Sequence, residues 1–222
     1  MKVTYLGHAA FKIEEDGKIV YVDPWLSGPT SPITVDDVNK ADIVLVTHDH
    51  GDHGYAEALG ICKNTGATFV AINELAHKAG SQGVKEIHTL NIGGSVNIGG
   101  VVVTLVQAFH SSGVGAPTGF IVRFPSSSFY HPGDTGVFAS MQLLGELYPI
   151  DMFFAPIGSY FVMDVHQAAL ATKLVKPSHV IPMHYDTFPV IEANPEKFKA
   201  LVSETSPDTN VIILKPGEET EI

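Results

Sequence analysis

Residues 47–53 (THDHGDH) concentrate three imidazoles and two carboxylates directly after the apolar run 43–46. Ordinary turns use Gly, Asp and Asn for their backbone geometry, whereas neutral histidine is the commonest metal ligand in proteins. A solvated histidine-rich turn is the alternative, but so many metal-binding side chains at this spacing have little other use. The stretch therefore predicts a metal site.

The place of this stretch in the chain suggests how its side chains divide. If residues 43–46 form a buried strand, the turn lies outside the carboxyl end of a sheet, where open α/β folds bind their ligands. Gly51 is expected to permit a backbone bend that other residues would resist. His48 and His50 can then converge on one ion, while Asp52 and His53, past the bend, face a second. The motif predicts two neighbouring metals.

Length and composition narrow the protein class. The chain has 222 residues, of which 45% are apolar and 17% charged, a globular composition without the signature of disorder. We expect one domain over residues 1–222. The net charge of −11 argues against a non-specific grip on nucleic acid, which needs Lys and Arg to neutralise phosphates. A small phosphorylated substrate is still compatible with this negative charge, because two bound cations would reverse the sign of the charge locally.

Cysteine usage and the amino terminus point to the cell interior. Cys62 is the single cysteine, so the chain has no internal disulfide and no thiolate pair for a metal. Residues 1–8 reach glycine and histidine too soon for a secretory signal, and no run of about 18 apolar residues is present. We expect a cytoplasmic protein with a small-molecule substrate and no membrane partner. The oligomeric state stays open, with a homo-oligomer as one alternative.

The elements that must position these residues alternate along the chain. A β-meander, a β/α segment, a second β-meander and a second β/α segment follow one another. The predicted strands are residues 3–6, 11–14, 19–23, 43–47, 68–72, 86–90, 95–98, 101–108, 119–124, 129–130, 152–155, 180–182 and 211–214. The predicted helices are residues 55–64, 74–82, 138–147, 166–175 and 195–204. The order suggests two mixed sheets packed face to face with helices outside, although no sequence repeat relates the halves.

Three later residues repeat the arrangement of a strand that leads into a polar turn. His110 follows the apolar run 101–109, Asp134 lies in a Pro-Gly turn, and His184 follows residues 180–183. If these strand ends share one edge, the three side chains converge with residues 47–53. The alternatives are a polar strand cap for His110, a plain turn residue for Asp134 and a buried core histidine for His184.

The pattern His-x-His-x-Asp-His, then a distant His, an Asp in Gly-Asp-Thr and a late His, resembles the metallo-β-lactamase superfamily. Residues 7–11, Asp23-Pro24 and residues 183–188 look most like its branch that includes ascorbate-6-phosphate lactonase and the phospholipase D acting on N-acylphosphatidylethanolamines. The resemblance implies an α/β fold, a four-layered αβ/βα sandwich with the site at one edge of the sheets.

The resemblance also implies a ligand set. The first metal would be held by His48, His50 and His110. The second metal would be held by Asp52, His53 and His184. Asp134 would bridge the two metals. The second metal then has no cysteine ligand, so we do not expect hydrolysis of β-lactam antibiotics.

Such a pair of ions, each Zn, Mn or Fe, would lower the pKa of a bridging water to about 7 and so supply a hydroxide nucleophile. Asp52 and Asp134 contribute two negative charges, so the ions stay net positive and favour an anionic substrate. Asp52 is thereby assigned to catalysis as well as to the metal. His131 and His8, both in glycine-rich turns, are the candidate general acids.

Several neighbouring residues are open to two interpretations. Asp23 either orients a ligand imidazole or forms a turn before proline. Trp25, Tyr160 and Phe161 either line a substrate pocket or pack in the core. Asp164 is expected to cap a helix.

We therefore predict a dinuclear metal-dependent hydrolase that uses a metal-bridging hydroxide on a small anionic ester, lactone or phosphodiester. One alternative is an iron-dependent oxidoreductase on the same fold. Another is a metal-binding protein without catalysis.

Overall fold

The computed structural model describes residues 1–222 as two seven-stranded β-sheets and five α-helices. The strands are β1 (Lys2–Gly7), β2 (Ala10–Glu15), β3 (Lys18–Val22), β4 (Ile43–Leu45), β5 (Thr68–Ile72), β6 (Ile87–Leu90), β7 (Ser95–Ile98), β8 (Val101–Gln107), β9 (Thr118–Arg123), β10 (Ser128–His131), β11 (Met152–Pro156), β12 (His179–Met183), β13 (Asn210–Val211) and β14 (Glu219–Glu221). The helices are α1 (Tyr55–Thr65), α2 (Asn73–Ser81), α3 (Met141–Leu147), α4 (Val165–Val175) and α5 (Pro195–Thr205).

The two sheets share one topology. The first has the strand order β14-β1-β2-β3-β4-β5-β6 and the second has the order β13-β12-β11-β10-β9-β8-β7. In each sheet one half is antiparallel, from β14 to β3 and from β7 to β10. The other half is parallel, from β3 to β6 and from β10 to β13. The prediction of two mixed sheets is confirmed.

The main core contains 43 buried apolar residues and joins both sheets with α1 and α2. Between the sheets, Phe11 of β2 packs on Phe154 of β11 with 4.1 Å between ring centroids. A second cluster of 18 buried residues joins the second sheet to α3, α4 and α5, through residues such as Phe198. Because apolar burial is the dominant favourable term in folding, these two layers fix an αβ/βα sandwich, as the resemblance implied.

Local signals explain where the helices begin and end. Asp164 caps α4, as predicted, by accepting hydrogen bonds from the backbone N–H groups of His166 and Gln167. Gly66 ends α1 in the left-handed conformation with φ 78°. No helix of the chain has both the length and the apolar character that a membrane span requires.

Two predicted elements differ from the structure. The predicted helix at 138–147 begins only at Met141, and Phe138 lies in the preceding turn with its ring 5.2 Å from that of Phe109. The predicted strand at 211–214 ends at Val211. Leu214 then joins the core between the sheets, and the chain crosses over to add β14 to the first sheet. The sequence of β14 is mostly acidic, so it carried no strand pattern.

Candidate metal centre

Six strands deliver polar side chains to one place. In the first sheet, β1 leads to His8, β3 to Asp23 and β4 to residues 47–53. In the second sheet, β8 leads to His110, β10 to Asp134 and β12 to His184. The carboxyl ends of these strands meet at the same edge of the sandwich, so the expectation of a shared edge is confirmed.

The backbone at this edge is strained. His8, Asp23 and His184 have φ values of 54°, 45° and 55°, in the left-handed region that non-glycine residues avoid. Each such residue costs roughly 1–3 kcal/mol, and these conformations cluster at functional sites. The carbonyl oxygen of His8 accepts hydrogen bonds from the Tyr5 hydroxyl at 3.0 Å and from the His184 N–H at 2.8 Å. The bond from His184 ties the two sheets together beside the cluster.

Three imidazoles form a first group of donors. His50 Nδ1 lies 3.0 Å from His48 Nε2 and 3.3 Å from His110 Nε2. Burial lowers the pKa of His48 to about 2, so its ring is neutral at pH 7. Neutral imidazole is the form that binds metals. The three nitrogens are therefore placed to share one cation.

A second group combines nitrogen and oxygen donors. His8, Asp52, His53 and His184 each offer one donor atom, and all four atoms lie within 4.8 Å of one another. Asp52 Oδ2 lies 3.2 Å from His8 Nε2 and 4.0 Å from His184 Nε2. This group contains the predicted ligands of the second metal, and His8 in addition.

The carboxylate of Asp134 lies between the two groups and is 3% exposed. Its Oδ1 is 3.2 Å from His53 Nε2. Its Oδ2 is 3.1 Å from His184 Nε2 and 3.6 Å from His110 Nε2. The structure thus brings all seven predicted ligands together. Their assignment to particular metals stays a prediction.

Hydrogen bonds behind the ligands set the orientation of two rings. The buried Thr47 donates its hydroxyl to Asp23 Oδ2 at 2.7 Å and accepts from His48 Nδ1 at 3.0 Å. Asp23 Oδ2 also lies 2.7 Å from His53 Nδ1. Both rings thereby present Nε2 to the centre, the arrangement expected of metal-ligating histidines. Sequence reasoning missed Thr47, although its position between the apolar run and His48 was the available signal.

Buried polar atoms without partners show that the centre fits a cation. His53 Nε2, Asp134 Oδ1 and both ring nitrogens of His184 make no hydrogen bond. An unsatisfied buried polar atom costs about 1–3 kcal/mol, which a bound divalent ion would offset. Burial disfavours the charged form of His53, yet the carboxylates of Asp134 and Asp23 outweigh it and raise its pKa. The same negative charges favour a metal ion.

We predict that Asp23→Asn weakens metal binding about 10- to 100-fold, because His53 loses the carboxylate that fixes its ring. Competition with a chelator of known affinity would measure the change. Asp42→Asn is a matched control, since Asp42 lies before β4 and accepts a hydrogen bond from Ile19 N. Equal metal affinity of Asp23→Asn and native protein would contradict the orienting role.

The two candidate general acids occupy different positions. His8 Nδ1 lies 2.9 Å from Thr187 Oγ1, and its Nε2 faces the second group. His131 is fully buried, and its Nε2 donates to the Ala9 carbonyl at 2.9 Å. The other nitrogen of His131 accepts from Gly133 N at 3.2 Å. With both nitrogens engaged by backbone, His131 links the sheets and has no ring nitrogen left to act as a general acid.

The backbone bend near the motif occurs at Gly54, not at Gly51. Gly51 has no positive φ, and a Cβ there would meet no atom within 4 Å. The expectation that Gly51 needs glycine is therefore wrong. Gly54 has φ 66°, and a Cβ there would overlap the backbone of Pro24 and Trp25. The close approach of two chain segments was not visible in the sequence.

Asp49 supports the first group from outside. Its Oδ1 accepts from Ser112 Oγ at 2.9 Å and from Gly113 N at 2.7 Å. These bonds hold the loop that follows His110 against the loop that carries His48. Asp49 thus lies behind the ligands and fixes the position of their loops.

Comparisons with known proteins agree with this geometry. The family model described as Beta-lactamase superfamily domain matches residues 2–184. A UPF0173 metal-dependent hydrolase of Methanopyrus kandleri is 47% identical, covering 100% of each chain. Another, of Caldivirga maquilingensis, is 46% identical over 96% of this chain and 95% of its own.

The solved structure of Igni18, a metallo hydrolase of the archaeon Ignicoccus hospitalis, has a TM-score of 0.92 and 42% identity. It matches 100% of this chain, which covers 98% of that protein. The structural similarity and the sequence identity over the full length indicate the same family. The chain belongs to the beta-lactamase superfamily and, within it, to the UPF0173 family of metal-dependent hydrolases.

Proposed function

We propose that the protein is a hydrolase that binds two divalent ions and cleaves a small anionic ester, lactone or phosphodiester. The observation that carries the proposal is Asp134, a buried carboxylate lying between a three-histidine group and a His/Asp group. Bound divalent ions supply an activated water and stabilise the negative charge that develops in hydrolysis.

Different residues would hold each of the two ions. His48, His50 and His110 would hold one ion. Asp52, His53 and His184 would hold the other, and Asp134 would contact both. Asp52 and Asp134 bring two negative charges against four positive charges from two divalent ions, which leaves a net attraction for an anionic substrate.

His8 is the candidate donor to the leaving group. Burial lowers its pKa to about 4, although Asp52 opposes the shift, so the ring is neutral at pH 7. A neutral ring with Thr187 at Nδ1 would donate a hydrogen bond from Nε2 to the leaving oxygen, beside the second donor group, and would not transfer its proton. His8 would then act at the side of the centre that Asp52 occupies.

The test uses protein purified without added metal and then reconstituted with Zn, Mn or Fe, since nitrogen and oxygen donors suit all three. Each form is assayed with bis(p-nitrophenyl) phosphate, lactones, simple esters, thioesters and β-lactams. We expect hydrolysis that a chelator abolishes and added metal restores. Absence of hydrolysis with every metal would contradict the proposal. Oxygen uptake by the iron form would favour the oxidoreductase alternative instead.

A further inference from the structure

Six loops at the edge of the metal centre contain no Lys or Arg, and outside them Lys215 lines a cavity together with His8 and Thr187. They are the segments that follow the carboxyl ends of β3, β4, β8, β10, β11 and β12. These loops are residues 23–34, 46–54, 108–117, 132–140, 157–164 and 184–194, and none contains Lys or Arg. The single arginine, Arg123, pairs with Ser128 at the amino end of β10, opposite to Asp134. Proteins recognise phosphate largely through Arg and Lys, so the loops offer little to a phosphorylated substrate.

The same loops expose aromatic rings, which we call the aromatic rim. Four rings are strongly exposed: Phe109 (62%), Tyr160 (74%), Phe161 (52%) and Phe188 (37%). The name also includes the half-buried Trp25, whose ring lies 5.9 Å from that of Phe188. Exposed apolar patches of this kind mark binding sites, and small-molecule sites are lined mainly by apolar and aromatic groups.

Two rings of the rim are next to the second donor group. The centroid of Trp25 lies 5.4 Å from that of His8, and the centroid of Phe188 lies 5.9 Å from it. Trp25 and Phe188 are themselves 5.9 Å apart. They form an apolar wall beside a donor of the centre.

The loop with Tyr160 and Phe161 is attached to the centre at both ends. Ile157 N donates to Met183 O at 3.0 Å, and Met163 N donates to Thr135 O at 3.2 Å. Met183 and Thr135 adjoin the predicted ligands His184 and Asp134. At the tip, Ser159 and Tyr160 have φ values of 55° and 51°. A strained tip with exposed rings indicates a binding role rather than a packing role.

We propose that the substrate is an ester or lactone whose acyl part is an apolar chain or ring, bound against the aromatic rim. The proposal rests on the proposed function and narrows its substrate class. The negative charge of the substrate, or the charge that develops during hydrolysis, would lie at the metals. The apolar acyl group would cover the aromatic rings that are exposed to water. Under this proposal, Trp25, Tyr160 and Phe161 line the substrate pocket and do not pack in the core.

The test measures binding, so it does not depend on turnover. Calorimetry gives the Kd of zinc-loaded protein for acetate, butyrate, hexanoate, phenylacetate and inorganic phosphate. Fluorescence of Trp25, the only tryptophan, reports whether the ligand reaches the rim. We expect the Kd to tighten up to about fourfold per added CH₂, the fold-change that corresponds to burial of one such group. Phenylacetate is expected to bind more tightly than acetate.

Two rim variants are compared with one control. Phe188→Ser and the double variant Tyr160→Ser/Phe161→Ser are expected to keep their metal and to lose most of the chain-length dependence. Leu147→Ser is the control, because Leu147 is 68% exposed but ends α3 next to Tyr148, whose ring contacts Arg123. This control should retain the native dependence.

The outcomes separate the two proposals. Any one of three results would overturn the apolar substrate class. The first is an equal Kd for all acids, and the second is a chain-length dependence that persists in both rim variants. The third is a lower Kd for phosphate than for hexanoate. Chain-length-dependent binding without hydrolysis of any compound in the panel, with any metal, would support the rim and contradict the hydrolase function.

Discussion

Asp134→Ala protein is expected to purify without its full metal complement and to lose hydrolytic activity by about 1,000-fold or more. Asp134 lies within 3.2 Å of His53 Nε2 and His184 Nε2 and within 3.6 Å of His110 Nε2. Its removal would take a shared oxygen donor from both groups. Loss of the several kcal/mol of charge stabilisation that metals supply corresponds to about this factor in rate.

Elemental analysis and steady-state kinetics would measure both effects, with circular dichroism to show that the variant is folded. Asp164→Ala is the matched control, because Asp164 caps α4 and lies outside the donor groups. We expect that control to lose about 1 kcal/mol of stability and to keep its metal. If Asp134→Ala held a full metal complement, the bridging assignment would be wrong.

Gly54→Ala is expected to unfold at a temperature about 10 °C lower than the native protein, whereas Gly51→Ala should be nearly neutral. A Cβ at Gly54 would overlap the Pro24 and Trp25 backbone in addition to the cost of its positive φ. We expect a loss of roughly 3 kcal/mol or more in the free energy of unfolding, and Tm falls by about 2–4 °C per kcal/mol at this chain length.

Thermal unfolding of both variants tests this contrast directly. The chemistry of the substitution is the same at both sites, so the difference reports the combined cost of the positive φ and the backbone contact at Gly54. Gly51→Ala should stay within about 0.5 kcal/mol of the native protein. A larger loss for Gly51→Ala than for Gly54→Ala would show that the bend lies where the sequence first suggested.

The candidate centre was readable from the sequence because its chemistry is carried by few residue types at strand ends. Residues 47–53, His110, Asp134 and His184 each follow an apolar run, and runs that enter one sheet edge bring their last residues together. The two mixed sheets followed from the same alternation of strands and helices.

What the sequence did not reveal depends on contacts between distant segments. The requirement for glycine at Gly54 is set in part by Pro24 and Trp25, which precede it by 30 and 29 residues in the chain. The role of His131 is set by the carbonyl of Ala9 in the other sheet. The acidic strand β14 forms because β1 offers it a free edge. Such contacts have no local pattern.

Some expectations stay predictions. The single domain over residues 1–222, the cytoplasmic location, the homo-oligomer alternative and the resemblance to one branch of the superfamily are among them. The metals, their number and the substrate belong to the proposed function.

The number of metal ions per chain tests the central claim most directly. Elemental analysis of native protein, purified without added metal and then saturated and desalted, is predicted to give two ions per chain. Asp52→Ala should keep one ion, because the three-histidine group and Asp134 are untouched. A single ion in the native protein, or two in Asp52→Ala, would contradict a two-metal centre with Asp52 as a ligand.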